Sequence, residues 1–502
     1  MSLAVVYSRA SVGIDAPLVT IEVHLANGLP AFNLVGLAAA AVRESKERVR
    51  SALINSGFEF PAKRITVNLA PADLPKEGGR FDLAIAIGII AACGLLPDTD
   101  LSQYEMVGEL ALTGQIRTVC GALPFNYACT NAKRIALLPL QNADEALLVN
   151  NSQVFGVTSL SDLYLHLSGR KRLTPSEHKR VECQHDYQAD MADIKGQQLA
   201  KRALEISAAG MHNILFCGPP GTGKTMLAKR LMTLLPPMDQ QQALQTATIR
   251  SVAGQPIDLT KWTQRPFRQP HHTASSIALV GGGSNPKPGE ISLAHHGVLF
   301  LDELPEFERH VLDVLREPME AGKISISRAA KHVCFPAQFQ LVAAMNPSPT
   351  GALHDGRSTS EQVLRYINRI STPFLDRIDL QVDVPKLSSK ELFAGNDDQQ
   401  ESSKQIRIRV LGAHQQQYQR ANKSNAQLNT QELDTYCVLS SADQRFMQTS
   451  MEQLGLSMRS YHRTIKVART IADLASCQHI QRKHLSEALS YRALDNIIQQ
   501  LK

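Results

Sequence analysis

Apolar and polar positions change their spacing twice along the 502-residue chain, and the changes divide it into three stretches. In the first, residues 18–25 alternate with period two, as a strand buried on one face does. Residues 39–56 repeat their apolar positions at helical spacing, with Arg43, Glu44, Lys46, Glu47, Arg48 and Arg50 between them. Residues 64–69 read as another strand and 83–93 as a buried helix. In the second stretch the signal is short apolar runs: 214–217, 298–301, 339–344 and 380–384. Each is long enough for a strand buried on both faces, the pattern of a parallel sheet. Helical spacing precedes the first run, up to Ala209, and follows it from Met226. The third stretch is helical. It carries a basic, glutamine-bearing face over 404–420, a polar break at 397–400, and apolar positions at 465, 467, 468, 471, 472 and 474 within a helix over 460–475. A last helix lies within 480–494.

These patterns imply an α/β chain organised as residues 1–168, a polar and basic linker over 169–190, an α/β core over 191–386, and a helical unit over 387–502. A chain of this length is too long for one core. The linker holds Gly169-Arg170-Lys171-Arg172 and His178-Lys179-Arg180, read as solvated rather than DNA-bound. Composition adds little: 43% apolar and 20% charged residues fit folded domains, and a net charge of +6 permits an anionic partner without demanding one. No apolar run reaches the length of a membrane span, and the first residues lack the layout of a signal peptide. The eight cysteines (93, 120, 129, 183, 217, 334, 437 and 477) form no C-x-x-C pair, which favours free thiols in a reducing cytoplasm.

Chemistry concentrates in the second stretch. After the apolar run 214–217, Gly218-Pro219-Pro220-Gly221-Thr222-Gly223-Lys224-Thr225 matches G-x-x-x-x-G-K-[ST], and a helical segment follows. Strand, glycine loop and helix in that order define a P-loop: backbone N–H groups and the helix N-terminus face phosphate oxygens, Lys224 reaches the outer phosphates, and Thr225 sits on Mg²⁺. The run 298–301 ends in Asp302-Glu303 at the edge where open α/β sheets place ligands. Asp302 suits the Mg²⁺ shell and Glu303 suits polarisation of water. The run 339–344 leads to Asn346, a polar side chain between the two motifs. The pairs His271-His272 and His295-His296 are expected to point in divergent directions unless a loop bends the chain, so structural or DNA-facing roles are weighed ahead of a metal.

Several stretches resemble known families. The residues from Pro75 to Asp82 and from Gly108 to Gly114 resemble the proteolytic domain of Lon-type proteases, with its ribosomal-S5-like fold. Arg80 occupies the place of that family's serine, and Gly121-Ala122-Leu123-Pro124-Phe125 supplies no lysine, so the resemblance implies the fold without the Ser–Lys dyad. The core resembles AAA+ ATPases. There Asn346 falls at sensor 1, Arg377 at the arginine finger offered to a neighbouring subunit, and Arg459 at sensor 2, acting within its own subunit or across to the next. Arg265-Pro266-Phe267-Arg268, Pro270-His271-His272-Thr273 and the alternating segment 323–333, a hairpin before sensor 1, narrow the resemblance to the magnesium-chelatase-like ComM/YifB family. It spans nearly the whole chain. Its members imply a hexameric ring using ATP and Mg²⁺, a helical lid, and branch migration on single-stranded or branched DNA, with a recombinase as a candidate partner. Arg328 and Lys331 at the hairpin tip are the DNA-contact candidates. The cysteine cluster that many relatives carry after sensor 1 has no counterpart between Asn346 and Cys437, so no zinc is expected. The alternatives are a chelatase-type subunit remodelling a protein or metal-insertion partner, a Lon-like protease, and a nucleotide-gated scaffold.

Overall fold

The computed structural model describes residues 3–36, 40–76, 78–96, 99–177, 189–283, 286–328, 331–351, 358–388 and 400–501. In the first stretch, Leu3–Arg9, Leu18–Ala26 and Arg64–Ala70 pair antiparallel, and Ala31–Val35 runs parallel to Arg64–Ala70 at one edge. On the other side Tyr104–Met106, Ile135–Pro139 and Val154–Val157 continue the sheet in parallel. The helix Asp82–Ala92 lies against this sheet with every residue but Ala91 buried. Gly88 permits the approach, because a Cβ there would stand 2.6 Å from Val23 Cγ2. The expected strands and helices match to within one or two residues, the first helix being Ala40–Asn55; residue 39 lies outside the described residues.

The linker expectation needs correction. Leu173 packs on the first core, and its N–H donates to His166 Nδ1 at 3.0 Å. The N–H of Ser176 donates to the carbonyl of Val154 at 2.8 Å. Residues 171–176 therefore belong to the first unit: one leucine and a serine able to extend an edge strand suffice to hold a basic segment down. The second basic cluster, 178–180, lies outside the described residues.

The core sheet has five parallel strands in the order Phe267–Arg268, Val298–Leu301, Gln340–Met345, Ile214–Cys217, Leu380–Asp383. Alternate residues enter different cores. Ile214, Phe216, Val298, Phe300, Val342 and Ala344 face one, while Leu215, Cys217, Leu299, Leu301, Leu341 and Ala343 face the other. That two-sided burial is why the strands read as unbroken apolar runs. Cys217 pairs with Met345 and Leu301 with Ala343, so Gly218, Asp302 and Asn346 all emerge from one edge of the sheet. The two-residue strand Phe267–Arg268 gives no periodic signal within its long polar insertion.

The hairpin is present as Lys323–Arg328 and Lys331–Pro336, with Arg328 opposite Lys331. Its turn, residues 329–330, lies outside the described residues, as do the side chains of Arg328 and Lys331. The base of the hairpin touches the first unit: Val12 and Ile14 pack on the cluster holding Val333 and Phe335. A second contact joins Leu123, Leu148 and Val149 to Ala247 and Trp262, and the Gly121 N–H donates to the Ser251 carbonyl at 3.0 Å.

The C-terminal helices are Ser403–Ala421, Thr430–Tyr436, Ser441–Leu454, Met458–Leu474, Arg482–Ser490 and Ala493–Leu501. The polar break at 397–400 lies outside the described residues except for Gln400. The helix expected within 480–494 ends at Ser490, and a further helix leaves the bundle. Leu494 and Ile497 are buried beside Val363, Tyr366 and Ile367 of the core. The Gln381 N–H donates to the Tyr491 carbonyl at 2.9 Å. Residues 491–501 therefore pack on the α/β core. Apolar residues at 494, 497, 498 and 501 supply the helical spacing that directs them there.

Candidate active site

Glycine chemistry shapes the loop after Ile214–Cys217 in two ways. A Cβ at Gly218 would lie 2.2 Å from the Val384 carbonyl oxygen, so the neighbouring chain excludes any side chain. Gly221 and Gly223 have open space around them but φ of +78° and +87°, the left-handed region that glycine enters without penalty. The helix Lys224–Leu234 then starts on Gly223 without a side-chain cap, leaving its first N–H groups facing the loop.

Lys224 is buried, and its ammonium donates to the carbonyls of Gly218 (2.6 Å) and Pro219 (2.9 Å) and to Asn346 Oδ1 (3.1 Å). Among the described residues no carboxylate lies within ion-pair distance of it. Burial lowers its pKa, and the charge of Asp302 opposes the shift. A buried cation satisfied only by neutral oxygens can exchange them for phosphate oxygens. The Thr225 hydroxyl donates to Asp302 Oδ2 at 2.9 Å, bringing together two oxygen donors of the kind Mg²⁺ takes. The loop thus fits a nucleotide phosphate chain with its magnesium ion.

Glu303 lies next to this pair with φ +53° and ψ 48°, a left-handed conformation that costs a non-glycine residue about 1–2 kcal/mol. His272 Nδ1 lies 3.1 Å from Glu303 Oε2. The histidine pairs take the bent alternative. The rings of His271 and His272 have centroids 4.2 Å apart, and those of His295 and His296 3.8 Å apart, so neither pair diverges. The local backbone bends to bring them together, most clearly at His296, whose φ is +56°. Burial pushes His295 down to about 3 and His296 to about 4, leaving both neutral. No group of three or more metal-ligating side chains occurs among the described residues.

The two arginines lie elsewhere, and together. Arg377 is 5% exposed, and its Nη2 sits 2.7 Å from Glu320 Oε1. Arg459, in the first turn of Met458–Leu474, reaches the same oxygen at 3.9 Å. Arg377 pairs with neither Asp376 nor Asp379. Asp379 instead binds Arg463 Nη1 at 2.7 Å and lies 3.3 Å from His212 Nδ1, joining the helical unit to the core. Glu320 and Arg459 line a cleft of about 1070 Å³ with Arg463, Lys466 and His296. Glu320 carries no signal in its own neighbourhood: an acidic residue on a short helix looks like any solvated one. Arg80 is buried, and burial lowers it to about 10.

Three family profiles match in succession: "Subunit ChlI of Mg-chelatase" over residues 21–142, "Magnesium chelatase, subunit ChlI" over 190–392, and its C-terminal counterpart over 400–492. Competence protein ComM of Haemophilus influenzae is 54% identical, covering 100% of this chain and 99% of that protein. The chain belongs to the ComM/YifB family of magnesium-chelatase-like AAA+ proteins. YifB of Salmonella typhimurium is 50% identical over 99% of this chain and 98% of its own. The magnesium-chelatase 38 kDa subunit of Cereibacter sphaeroides is 27% identical over 31% of this chain and 51% of its own. Membership implies use of ATP and Mg²⁺, in keeping with the loop chemistry above. Among the described residues no helix is long and apolar enough to cross a membrane.

Proposed function

We propose that this ComM/YifB-family chain is a cytoplasmic, ring-forming ATPase that couples ATP hydrolysis to movement on DNA, as a branch-migration helicase in recombination during natural transformation. The convergence of Lys224, Thr225, Asp302 and Asn346 at one sheet edge carries the ATPase half of this reading. Gly218 to Thr225 hold the phosphates, and Thr225 with Asp302 holds Mg²⁺, which neutralises phosphate charge when bound. Glu303 polarises the attacking water, and Asn346 orients it. Arg377 and Arg459, away from their own loop and joined by Glu320, act on the nucleotide of the next subunit, where a guanidinium stabilises charge on the transferred phosphoryl group. A hexamer is the assembly that supplies that neighbour. The competence name of the Haemophilus relative supports the DNA half, with Arg328 and Lys331 as cations tracking the phosphate backbone and a recombinase as partner. The first unit has the Lon-like, S5-like fold without its dyad.

ATP turnover measured without DNA and with single-stranded, duplex and four-way DNA tests the reading. Stimulation, greatest with the four-way junction, is expected. The family profiles and the chelatase relative favour one rival, a chelatase-type subunit acting on a protein or metal-insertion partner. Ring assembly and turnover indifferent to every DNA would favour that rival.

A further inference from the structure

The hairpin before Asn346 has two unlike faces. Ile324, Ile326, Val333 and Phe335 are buried on one, while Ser325, Ser327, His332 and Cys334 on the other are exposed. A two-stranded hairpin standing alone is marginally stable at best in water, so this one depends on what its apolar face meets. Part of that cover comes from the first unit. The turn between Leu3–Arg9 and Leu18–Ala26 places Val12 and Ile14 on the cluster that holds all four buried residues. We propose that the first unit is a brace: through this turn it seats the hairpin and holds it in place relative to the helix Gln240–Ala253, so that DNA engagement by the hairpin is coupled to ATP turnover only while the seat is intact. The coupling rests on the hairpin being the DNA-gripping element; the seat does not.

The seat is a close fit. Val12 and Asp15 exchange two backbone hydrogen bonds of 3.0 Å, closing a tight turn. Gly13 within it is buried with φ +59°, and a Cβ there would stand 2.6 Å from Val333 Cγ1 and 3.9 Å from Phe335 Cε1. Val333 is β-branched and stiff at χ1, so it yields little room. It lies opposite Ile326 and two residues from Lys331, so the turn reaches past the base of the hairpin. The turn is also tied into its own unit. Arg9 is buried and donates to the Ala16 carbonyl at 3.0 Å and to Glu105 Oε1 at 2.7 Å. Arg134, beside the start of Ile135–Pro139, donates to the same carboxylate at 3.0 Å. The helix Ala122–Asn131 packs on that strand. At the start of that helix the Leu123 N–H lies 3.3 Å from Glu145 Oε1 and 3.3 Å from Ser251 Oγ, the latter on Gln240–Ala253. Buried ion pairs and strand pairing thus connect one contact on the core to the other, and a shift of the hairpin works against both.

Hydrogen exchange of the full chain, read by mass spectrometry on peptides covering 323–336, tests the seat without DNA or nucleotide. Gly13→Ala overpacks the contact and should speed exchange of the hairpin amides by about 10- to 100-fold. Ile14→Ser removes apolar packing without adding a Cβ at Gly13 and should act in the same direction. Gly57→Ala is the control: it adds left-handed strain to the first unit at φ +86°, with nothing within 4 Å of the new Cβ, and should leave the hairpin unchanged. Gly13→Ala should also keep basal ATP turnover and lose most of its stimulation by four-way DNA. Unchanged hairpin exchange in both Gly13→Ala and Ile14→Ser overturns the seat, and so does equal loosening by Gly57→Ala. A loosened hairpin with full DNA stimulation overturns the coupling. Wild-type turnover indifferent to every DNA overturns the reading of the hairpin as a DNA grip, and the coupling with it, while the exchange data still judge the seat alone.

Discussion

Replacing Asp379 by Ala should loosen the helical unit from the ATPase core without touching a nucleotide-binding residue. The Asp379 side chain is 5% exposed. It accepts from Arg463 at 2.7 Å and from the Asn213 N–H at 3.1 Å, and it stands 3.3 Å from His212, whose other ring nitrogen meets Thr470 at 2.8 Å. Removing one member of a buried ion pair costs about 3–5 kcal/mol. Arg463 keeps partial access to water and His212 keeps Thr470, so the lower end, about 3 kcal/mol, applies. For a unit of this size that corresponds to a melting temperature lower by about 6–12 °C, measured by circular dichroism at pH 7. Burial would raise the Asp379 carboxyl, but Arg463 and His212 outweigh it and hold it well below the usual carboxylate range. A depressed carboxyl stabilises fully above its unfolded value of about 3.9 and loses that stabilisation as the pH falls below it. The gap between wild type and variant should therefore be constant from about pH 5 to 8 and narrow below about pH 4. A melting temperature within about 1 °C of wild type at pH 7, or a gap that does not narrow in acid, would refute the reasoning.

Lys224→Ala should weaken nucleotide binding by about 10- to 150-fold through loss of charge-assisted hydrogen bonds, whereas Glu303→Gln should leave binding intact and lower kcat by about 10²–10⁴; binding and single-turnover assays separate the two. Arg377→Ala should lower turnover by about 10³-fold while ATP still binds. Mixed with wild type it should depress activity below the dilution line, and a strictly linear loss would mean that it acts within its own subunit. The double variant Arg328→Ala/Lys331→Ala should keep basal turnover and lose junction migration, with the salt slope of DNA binding reduced by about 2; normal migration of a labelled four-way junction would remove the hairpin as the gripping element.

What the sequence discloses and what it hides follow from the range of the interactions. Gly218 to Thr225 is legible because its chemistry is complete within eight consecutive residues, and in the structure Lys224 bonds Asn346 while Thr225 bonds Asp302. The four longer core strands are legible because burial on both faces leaves continuous apolar runs. The two-residue strand Phe267–Arg268 is too short to show a period. Side-chain partners far apart in sequence leave no local trace. Asp379 is adjacent to the arginine motif yet bonds Arg463, 84 residues away, and Arg377 finds Glu320 instead. The orientation of the histidine pairs stays open in the sequence for a related reason: neighbours diverge in a regular strand, but not where the backbone bends as it does at His296.

Glu320 ties these hidden contacts to the visible ones. It lies on the helix Arg316–Ala321, and the chain passes from there into Lys323–Arg328, back along Lys331–Pro336, and through Gln340–Met345 to Asn346, which accepts from Lys224. The carboxylate that holds the two arginines and the amide that touches the phosphate-loop lysine are thus the two ends of one segment of 27 residues, with the hairpin as its middle. A change at either end has a covalent path to the hairpin that crosses no domain boundary. In a ring whose arginines serve the neighbouring nucleotide, releasing Glu320 at one interface would pull on the same segment that reports phosphate at the other. The hairpin, rather than the helical unit, is on this argument the element that feels both sites at once.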